Sequence, residues 1–351
     1  DFVLVDEAVA VLREVSGALA ALEAGRALTV RRKPPGEPTV AEVEGAAAAL
    51  AASGADLVVA IGGGSVMDTA KSARLVASQG VPFRRFAAGE AAYEPPGVPL
   101  VLVPTTAGTG SEVSGGAVVT DERTHVKAGI ANPLLRAQHA LVDPELTYGL
   151  PPGPTAHAGI DAVAQAIAAI AVTTRTPIGN AIALESIRLG AMALPAVVRD
   201  GSDRSARTAM ACSSLLAGLS MNISDCGAEH SLAQAIGGRF GLPHGLTIGL
   251  VLAETMEHDR RAVPALFERI ADAFGEPPNA SGDGSRAVRG IRRILAEIHF
   301  PTLSAVGVSE ADLDALADDA LKDYFITVAP EPWSRDDVVA AYRAGLELDS
   351  R

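Results

Sequence analysis

The run DLVVAIGGGS, residues 56–65, passes from unbroken aliphatic residues into three glycines and then into a helical pattern, VMDTAKSARLVAS. No polar residue alternates through the aliphatic part. A strand there must be covered on both faces, the property of a parallel sheet held between helices. The same grammar recurs in DFVLV (1–5), ALTV (27–30) and PLVLVP (99–104). Helical patterns DEAVAVLREVSGALAALEAG and VAEVEGAAAALAAS lie between them, with RRKPPGEPT as a loop. Residues 1–150 are therefore predicted to form a doubly wound α/β domain with a parallel sheet.

The pattern changes after LPPGP (150–154). Long Ala/Leu/Ile-rich segments at helical spacing follow, without a convincing strand, so residues 151–351 are predicted to be all-helical. No motif returns at a fixed period, and the alanines read as small-residue helix packing.

Composition narrows the function. The 351 residues carry 29 Lys and Arg against 42 Asp and Glu, a net charge of −13, which disfavours nucleic-acid binding. Two cysteines, Cys212 and Cys226, exclude a disulfide framework and a cysteine-ligated zinc site. No unbroken apolar run of membrane-spanning length is expected. The first residues lack the pattern of a signal peptide, so the expectation is a cytoplasmic protein acting on small molecules, without membrane or nucleic-acid partners.

Two loops are built for contact with a ligand. Gly62, Gly63, Gly64 and Ser65 join a strand to a helix, where glycines admit a close ligand and free N–H groups favour phosphate. The spacing is not G-x-G-x-x-G, and Ser65 with Asp68 reads equally well as a helix cap. The second loop, Pro104 to Glu112 (PTTAGTGSE), follows the next strand and offers hydroxyls and glycines without apolar anchors. Both leave the same sheet edge, where doubly wound folds bind ligands.

The helical half holds a different set. His230 and His244 lie fourteen residues apart, and Asp161 sits in an otherwise apolar helix, GIDAVAQAIAA, where an unpaired carboxylate would be costly. One carboxylate and two imidazoles suit a catalytic divalent metal with an open position; three separately satisfied polar residues are the plainer alternative.

Taken in order, GGGSVMDTAK (62–71), PTTAGTGSE (104–112), GIDA (159–162) and His230 followed by PHG (243–245) resemble the iron-containing alcohol dehydrogenase family. The resemblance runs from Phe2 to about Tyr342, without the N-terminal arm that members usually carry. It implies an NAD(P)-binding domain, a helical metal-binding domain and a cleft between them, with hydride passing between nicotinamide and an alcohol or aldehyde. It also implies a homodimer. Gly63, Gly64, Ser65 and Asp68 match the pyrophosphate and nicotinamide-ribose loop, and Thr105, Thr106 and Thr109 match the loop along the cofactor. Lys127 matches a lysine near the nicotinamide ribose. Asp161, His230 and His244 match three of four metal ligands.

Two positions depart from that pattern. Gln165 stands where the fourth ligand, a histidine, is expected, and Gln234 replaces a histidine tied to proton transfer. The stretch NISDCGAE (222–229) is also unusual and brings Asp225, Cys226 and Glu229 near the expected cleft. With three protein ligands and one open position, zinc is expected over iron. His157, on one helix face with Asp161 and Gln165, is the candidate replacement ligand or proton relay. Asp6, after the first strand, can bond a ribose diol and repel a 2′-phosphate, which favours NAD over NADP. His125, His139, His258 and His299 read as surface or cap residues, and Tyr324 and Trp333 as packing residues.

Three other functions compete with alcohol oxidation or aldehyde reduction. A maleylacetate reductase would use related chemistry. A sugar-phosphate cyclase of the dehydroquinate synthase type needs a basic pocket, which the helical half does not show beside Asp161 or His244. A catalytically weakened binding protein would follow from Gln165 and Gln234.

Overall fold

The computed structural model describes residues 1–124 and 126–347, so His125 lies outside the described residues. The chain divides into two compact units, Asp1–Gly149 and Leu150–Arg351.

In the first unit, β1 (Phe2–Asp6), α1 (Arg13–Gly25), β2 (Thr29–Lys33), α2 (Val40–Ser53), β3 (Val58–Gly62), α3 (Gly64–Gln79), the short α4 (Phe83–Ala87) and β4 (Leu100–Pro104) follow in order. A hairpin of β5 (Gly116–Asp121) and β6 (Val126–Ala131) precedes the two-residue β7 (His139–Ala140). Strands run parallel in the order β2-β1-β3-β4-β7. Phe2, Leu4, Val58, Ala60, Leu100 and Leu102 pack on one face with Met67 of α3, while Val3, Val5, Val59 and Ile61 pack on the other with Val15 of α1. Both faces are covered, as the missing alternation requires.

The order reverses between β1 and β3, where a doubly wound sheet opens a ligand crevice at its carboxyl edge. Asp6 and Gly62 end those two strands. A Cβ on Gly62 would stand 2.6 Å from Val66 and 3.2 Å from the Cβ of Asp6, so the turn into α3 closes only with glycine there.

Several boundaries differ from expectation. The second strand lies two residues later, over Thr29–Lys33: it is a sheet edge on which the exposed Arg32 discourages further pairing, while Lys33 is buried and donates to the Pro34 and Gly36 carbonyls. The first helix starts at Arg13, with a turn before it. The β5–β6 hairpin and β7 carry no long apolar run and are absent from the sequence reading.

The second unit holds α5 (Pro152–Ala171), α6 (Pro177–Arg199), α7 (Arg204–Ile223), α8 (Ala228–Phe240), α9 (His244–Asp259), α10 (Pro264–Ala273), α11 (Ser285–Glu297), α12 (Leu313–Ala320) and α13 (Arg335–Glu347). Small residues let α5, α6 and α7 approach closely: a Cβ on Gly190 of α6 would stand 2.8 Å from both Val163 of α5 and Ser213 of α7. By length and composition alone α6 is long and apolar enough to cross a membrane, although Glu185 and Arg188 interrupt its apolar run. Half of its apolar window is buried inside the unit, and its exposed side carries the Glu185–Arg188 ion pair.

Two further readings change. His258 is buried, stacked on Trp333 at 3.9 Å and 3.2 Å from Asp259. Tyr324 is 58% exposed and donates to Asp225 at 3.1 Å.

Candidate functional site

The glycine loop of the first unit opens α3 without a side-chain cap. Gly63 is the N-cap residue, and Ser65 lies already inside the helix, so the capping alternative for Ser65 does not form. Uncapped first-turn N–H groups with the positive helix end suit a phosphate. Thr106 packs 3.4 Å from where a Cβ on Gly63 would be, and Thr109 2.7 Å from the equivalent point on Gly64. The Thr105 N–H donates to the Gly62 carbonyl at 3.0 Å, joining the loops after β3 and β4.

Asp68 ties these loops together. Its carboxylate accepts from Ser111 Oγ at 2.6 Å and the Val118 N–H at 2.9 Å, and lies 3.1 Å from Lys71 Nζ. Lys71 is fully buried and donates to Ser111 O at 3.1 Å, Ser114 Oγ at 3.2 Å and the Gly116 carbonyl. Burial raises the Glu112 pKa, against the lowering effects of its own backbone and Lys71. Asp6 accepts from the Ala8 N–H at 2.8 Å. Lys127 is ion-paired with Glu37 at 3.2 Å.

In the helical unit, Asp161 projects from the middle of α5, His230 from the first turn of α8, and His244 is the first residue of α9. Their ligand atoms all lie within 4.8 Å of one another. Asp161 Oδ1 is 3.8 Å from His230 Nε2 and 3.7 Å from His244 Nε2. Bonds of about 2.0–2.2 Å to a central ion put tetrahedral donors roughly 3.4 Å apart, so the trio is slightly wider than a closed shell. Asp161 is 1% exposed and His230 4%. A buried carboxylate facing two imidazoles fits a divalent cation.

The motif PHG has a steric basis here. A Cβ on Gly245 would collide with the backbone carbonyl of His157, so glycine lets the start of α9 rest on α5 and brings His244 toward Asp161. His230 is held from behind by Glu229, whose Oε1 is 2.8 Å from Nδ1. Burial opposes a charge on His230, but Cys226 and Glu229 outweigh it and hold the imidazole pKa well above its usual value.

Gln165 is buried one turn beyond Asp161, and Gln234 is half-buried one turn beyond His230. The His157 ring lies edge-on to Phe300 at 5.8 Å, and burial lowers its pKa. His157 is not one of the three residues whose ligand atoms converge. Asp225, half-buried with its pKa raised by burial, accepts from Cys226 N and Tyr324 OH. Phe325 packs against the His230 ring at 5.7 Å. No sequence signal pointed to it, because the rest of α8 and all of α9 to α12 separate it from His230. Lys71 was visible in GGGSVMDTAK, but its partners in the next loop were not.

Residues 1–144 match the family described as iron-containing alcohol dehydrogenase, and residues 155–346 match its C-terminal part. The chain belongs to the iron-containing alcohol dehydrogenase family. It is 37% identical over 271 residues to a choline dehydrogenase of Bacillus subtilis, covering 76% of this chain and 67% of that one. It is 32% identical over 330 residues to an NAD-dependent methanol dehydrogenase of Bacillus methanolicus, covering 92% and 86%. An alcohol dehydrogenase from Oenococcus oeni superposes with a TM-score of 0.93 at 28% identity, covering 98% and 92%.

The chain is accordingly an NAD-linked oxidoreductase acting on alcohols. Members of the family bind NAD(P) and a divalent metal, usually iron. The zinc preference drawn from ligand count finds no support in these relatives.

Proposed function

We propose that this protein interconverts small alcohols and aldehydes with NAD(H), using a divalent ion held by Asp161, His230 and His244. The observation that carries the reading is the convergence of those three donors in a buried site, within a chain that matches the family end to end. When bound, the ion supplies Lewis-acid polarisation of the substrate oxygen, and the nicotinamide exchanges the hydride.

The chain's own residues do the rest. The first turn of α3 and the Thr105, Thr106 and Thr109 loop hold the dinucleotide phosphates and ribose, and Asp68 with Lys71 fixes the two loops against each other. Asp6, at the end of β1 where the strand order reverses, accepts from the ribose hydroxyls and disfavours a 2′-phosphate. Gln234 cannot titrate near neutral pH, so a different group moves the proton, and His157 is assigned that part. Lys127 reaches the nicotinamide ribose after leaving Glu37. Three protein donors with an open fourth position suit zinc, while the family's description names iron. The protein acts as a cytoplasmic homodimer in this reading.

Purified protein is assayed with NADH and an aldehyde panel, and elemental analysis of protein prepared without chelator gives the zinc-to-iron ratio. Aldehyde-dependent NADH oxidation that chelation abolishes supports the reading. A catalytic efficiency with NADPH equal to that with NADH removes the role of Asp6. Activity unaffected by complete metal removal overturns the metal's part.

A further inference from the structure

The stretch Gly227-Ala228-Glu229-His230 folds so that Glu229 curls back along the start of α8. Its Oε1 accepts from the Gly227 N–H at 3.1 Å and lies 2.8 Å from His230 Nδ1. Gly227 leaves room for this shape: a Cβ there would stand 2.6 Å from Glu229 Oε2 and push the carboxylate aside. The carboxylate is 4% exposed and sits in the first turn of its helix, where the dipole favours negative charge.

We propose that Glu229 is a positioning residue for the metal, holding His230 in the tautomer that presents Nε2 to the ion and adding a negative charge beside the ligand set. This rests on the reading of Asp161, His230 and His244 as ligands. Neutral imidazole carries one proton, and a lone pair on Nε2 requires that proton on Nδ1. A carboxylate oxygen 2.8 Å from Nδ1 selects that state, fixes the ring plane and raises the donor strength of Nε2. The charge argument points the same way. A divalent ion beside Asp161 leaves one buried positive charge, and Glu229 cancels it. Where Gln165 supplies neither an imidazole nor a charge, the remaining donors need support from behind. The Cys226 thiol also lies against His230, a weaker acceptor that brings no charge while protonated.

The test measures metal affinity. Metal-free wild type, Glu229→Gln, Glu229→Ala and Cys226→Ala are titrated with Co²⁺ and Zn²⁺ against a competing chelator. The Co²⁺ absorption bands and apo-protein melting curves are recorded alongside. Glu229→Gln, nearly the same shape, is expected to weaken binding by about tenfold, and Glu229→Ala by up to about a hundredfold. The cobalt bands should shift, while the apo melting temperature of Glu229→Gln stays close to wild type. In a His230→Ala background, Glu229→Gln should change affinity no further. Wild type that binds one ion and both Glu229 variants that bind it within threefold of wild type overturn the inference and leave the metal reading standing. A loss confined to Cys226→Ala overturns it too. Wild type that binds no ion defeats the metal reading itself, and this inference with it.

Discussion

A Cβ placed on Gly64 would stand 2.7 Å from Cγ2 of Thr109, a separation that real side chains do not tolerate. The two loops that leave the carboxyl edge of the sheet therefore interlock at a point where one side has no side chain at all. Gly64→Ala must push the Thr109 loop outward. Overpacking of this kind costs about 1–3 kcal/mol, here drawn from the dinucleotide-binding geometry. The dissociation constant for NADH, followed by its fluorescence, should rise about tenfold, since 1.4 kcal/mol is a factor of ten. Thr109→Ser deletes Cγ2 and keeps the hydroxyl, so the double variant should recover part of the loss. A Gly64→Ala protein that binds NADH like wild type would show that the loops give way freely.

Lys71 carries a second prediction about the same loops. Its ammonium is fully buried and joins Asp68, Ser111, Ser114 and Gly116. Lys71→Met keeps the length and removes the charge, leaving Asp68 without its cation and two carbonyls without a donor. Breaking a buried pair on one side costs about 3–5 kcal/mol. The melting transition of the first unit should move down by several degrees. An unchanged transition would mean that Asp68 is satisfied without the lysine.

The sequence was most legible where one residue type does one job. Unalternated aliphatic runs gave the parallel sheet because a strand with two apolar faces has few other homes. The glycines of 62–64 marked the turn into α3, and Asp161 stood out as a carboxylate among alanines. The hairpin of β5 and β6 was not legible, since GAVVTD and VKAGIA are short, carry glycine and charge, and pair with each other outside the parallel sheet. β2 was misplaced because Arg31, Arg32 and Lys33 look like a loop: an exposed sheet edge accounts for Arg32, and Lys33 is buried only because the Pro34 and Gly36 carbonyls receive it. Glu229 was noticed as unusual, but its bond to His230 depends on how Gly227 turns the chain, which residue type alone does not fix. His258 was misread for the same reason: its stacking partner, Trp333, comes from a segment far along the chain.

Gly245 tests how His244 is placed. A methyl group there meets the His157 carbonyl, so Gly245→Ala should lift the start of α9 away from α5 and carry His244 away from Asp161. Metal affinity should fall at least about tenfold, comparable to loss of a supporting contact. Gly241→Ala, at the left-handed end of α8 (φ 65°) with open space around it, should cost stability and leave affinity largely intact. Equal metal binding by Gly245→Ala and wild type would refute the steric account of PHG.

His157 separates chemistry from packing. Burial lowers its pKa and favours the neutral imidazole, which can accept a proton. His157→Ala should lower kcat more than about tenfold with KM for NADH unchanged, the signature of a group acting only in the chemical step. His157→Phe, which keeps a ring against Phe300, should not restore turnover. If kcat stays within about twofold in the alanine variant, the ring is there for Phe300 and the proton travels elsewhere.

Asp259 offers a pH test outside the ligand set. Burial raises its pKa to about 6, while bonds from His258 and Trp333, at 3.2 Å each, pull the other way and Glu229 adds repulsion. The folded-state pKa lies above the unfolded one. Its contribution to stability is therefore fully present below about pH 4 and is lost as the pH rises through the folded value. Above about pH 6 the folded protein carries an ionised carboxylate that the unfolded chain holds more comfortably in water. His258 and Trp333 share the one oxygen Oδ1, so Asp259→Asn keeps their acceptor and cannot ionise. The variant should melt higher than wild type at pH 8, by an amount corresponding to about 1–3 kcal/mol, and lose that advantage at pH 4. Thermal scans of the two proteins at both pH values, compared as differences, cancel titrations elsewhere in the chain. An advantage that is the same at pH 4 and pH 8, or that grows on acidification, would show that the Asp259 carboxylate is not what titrates.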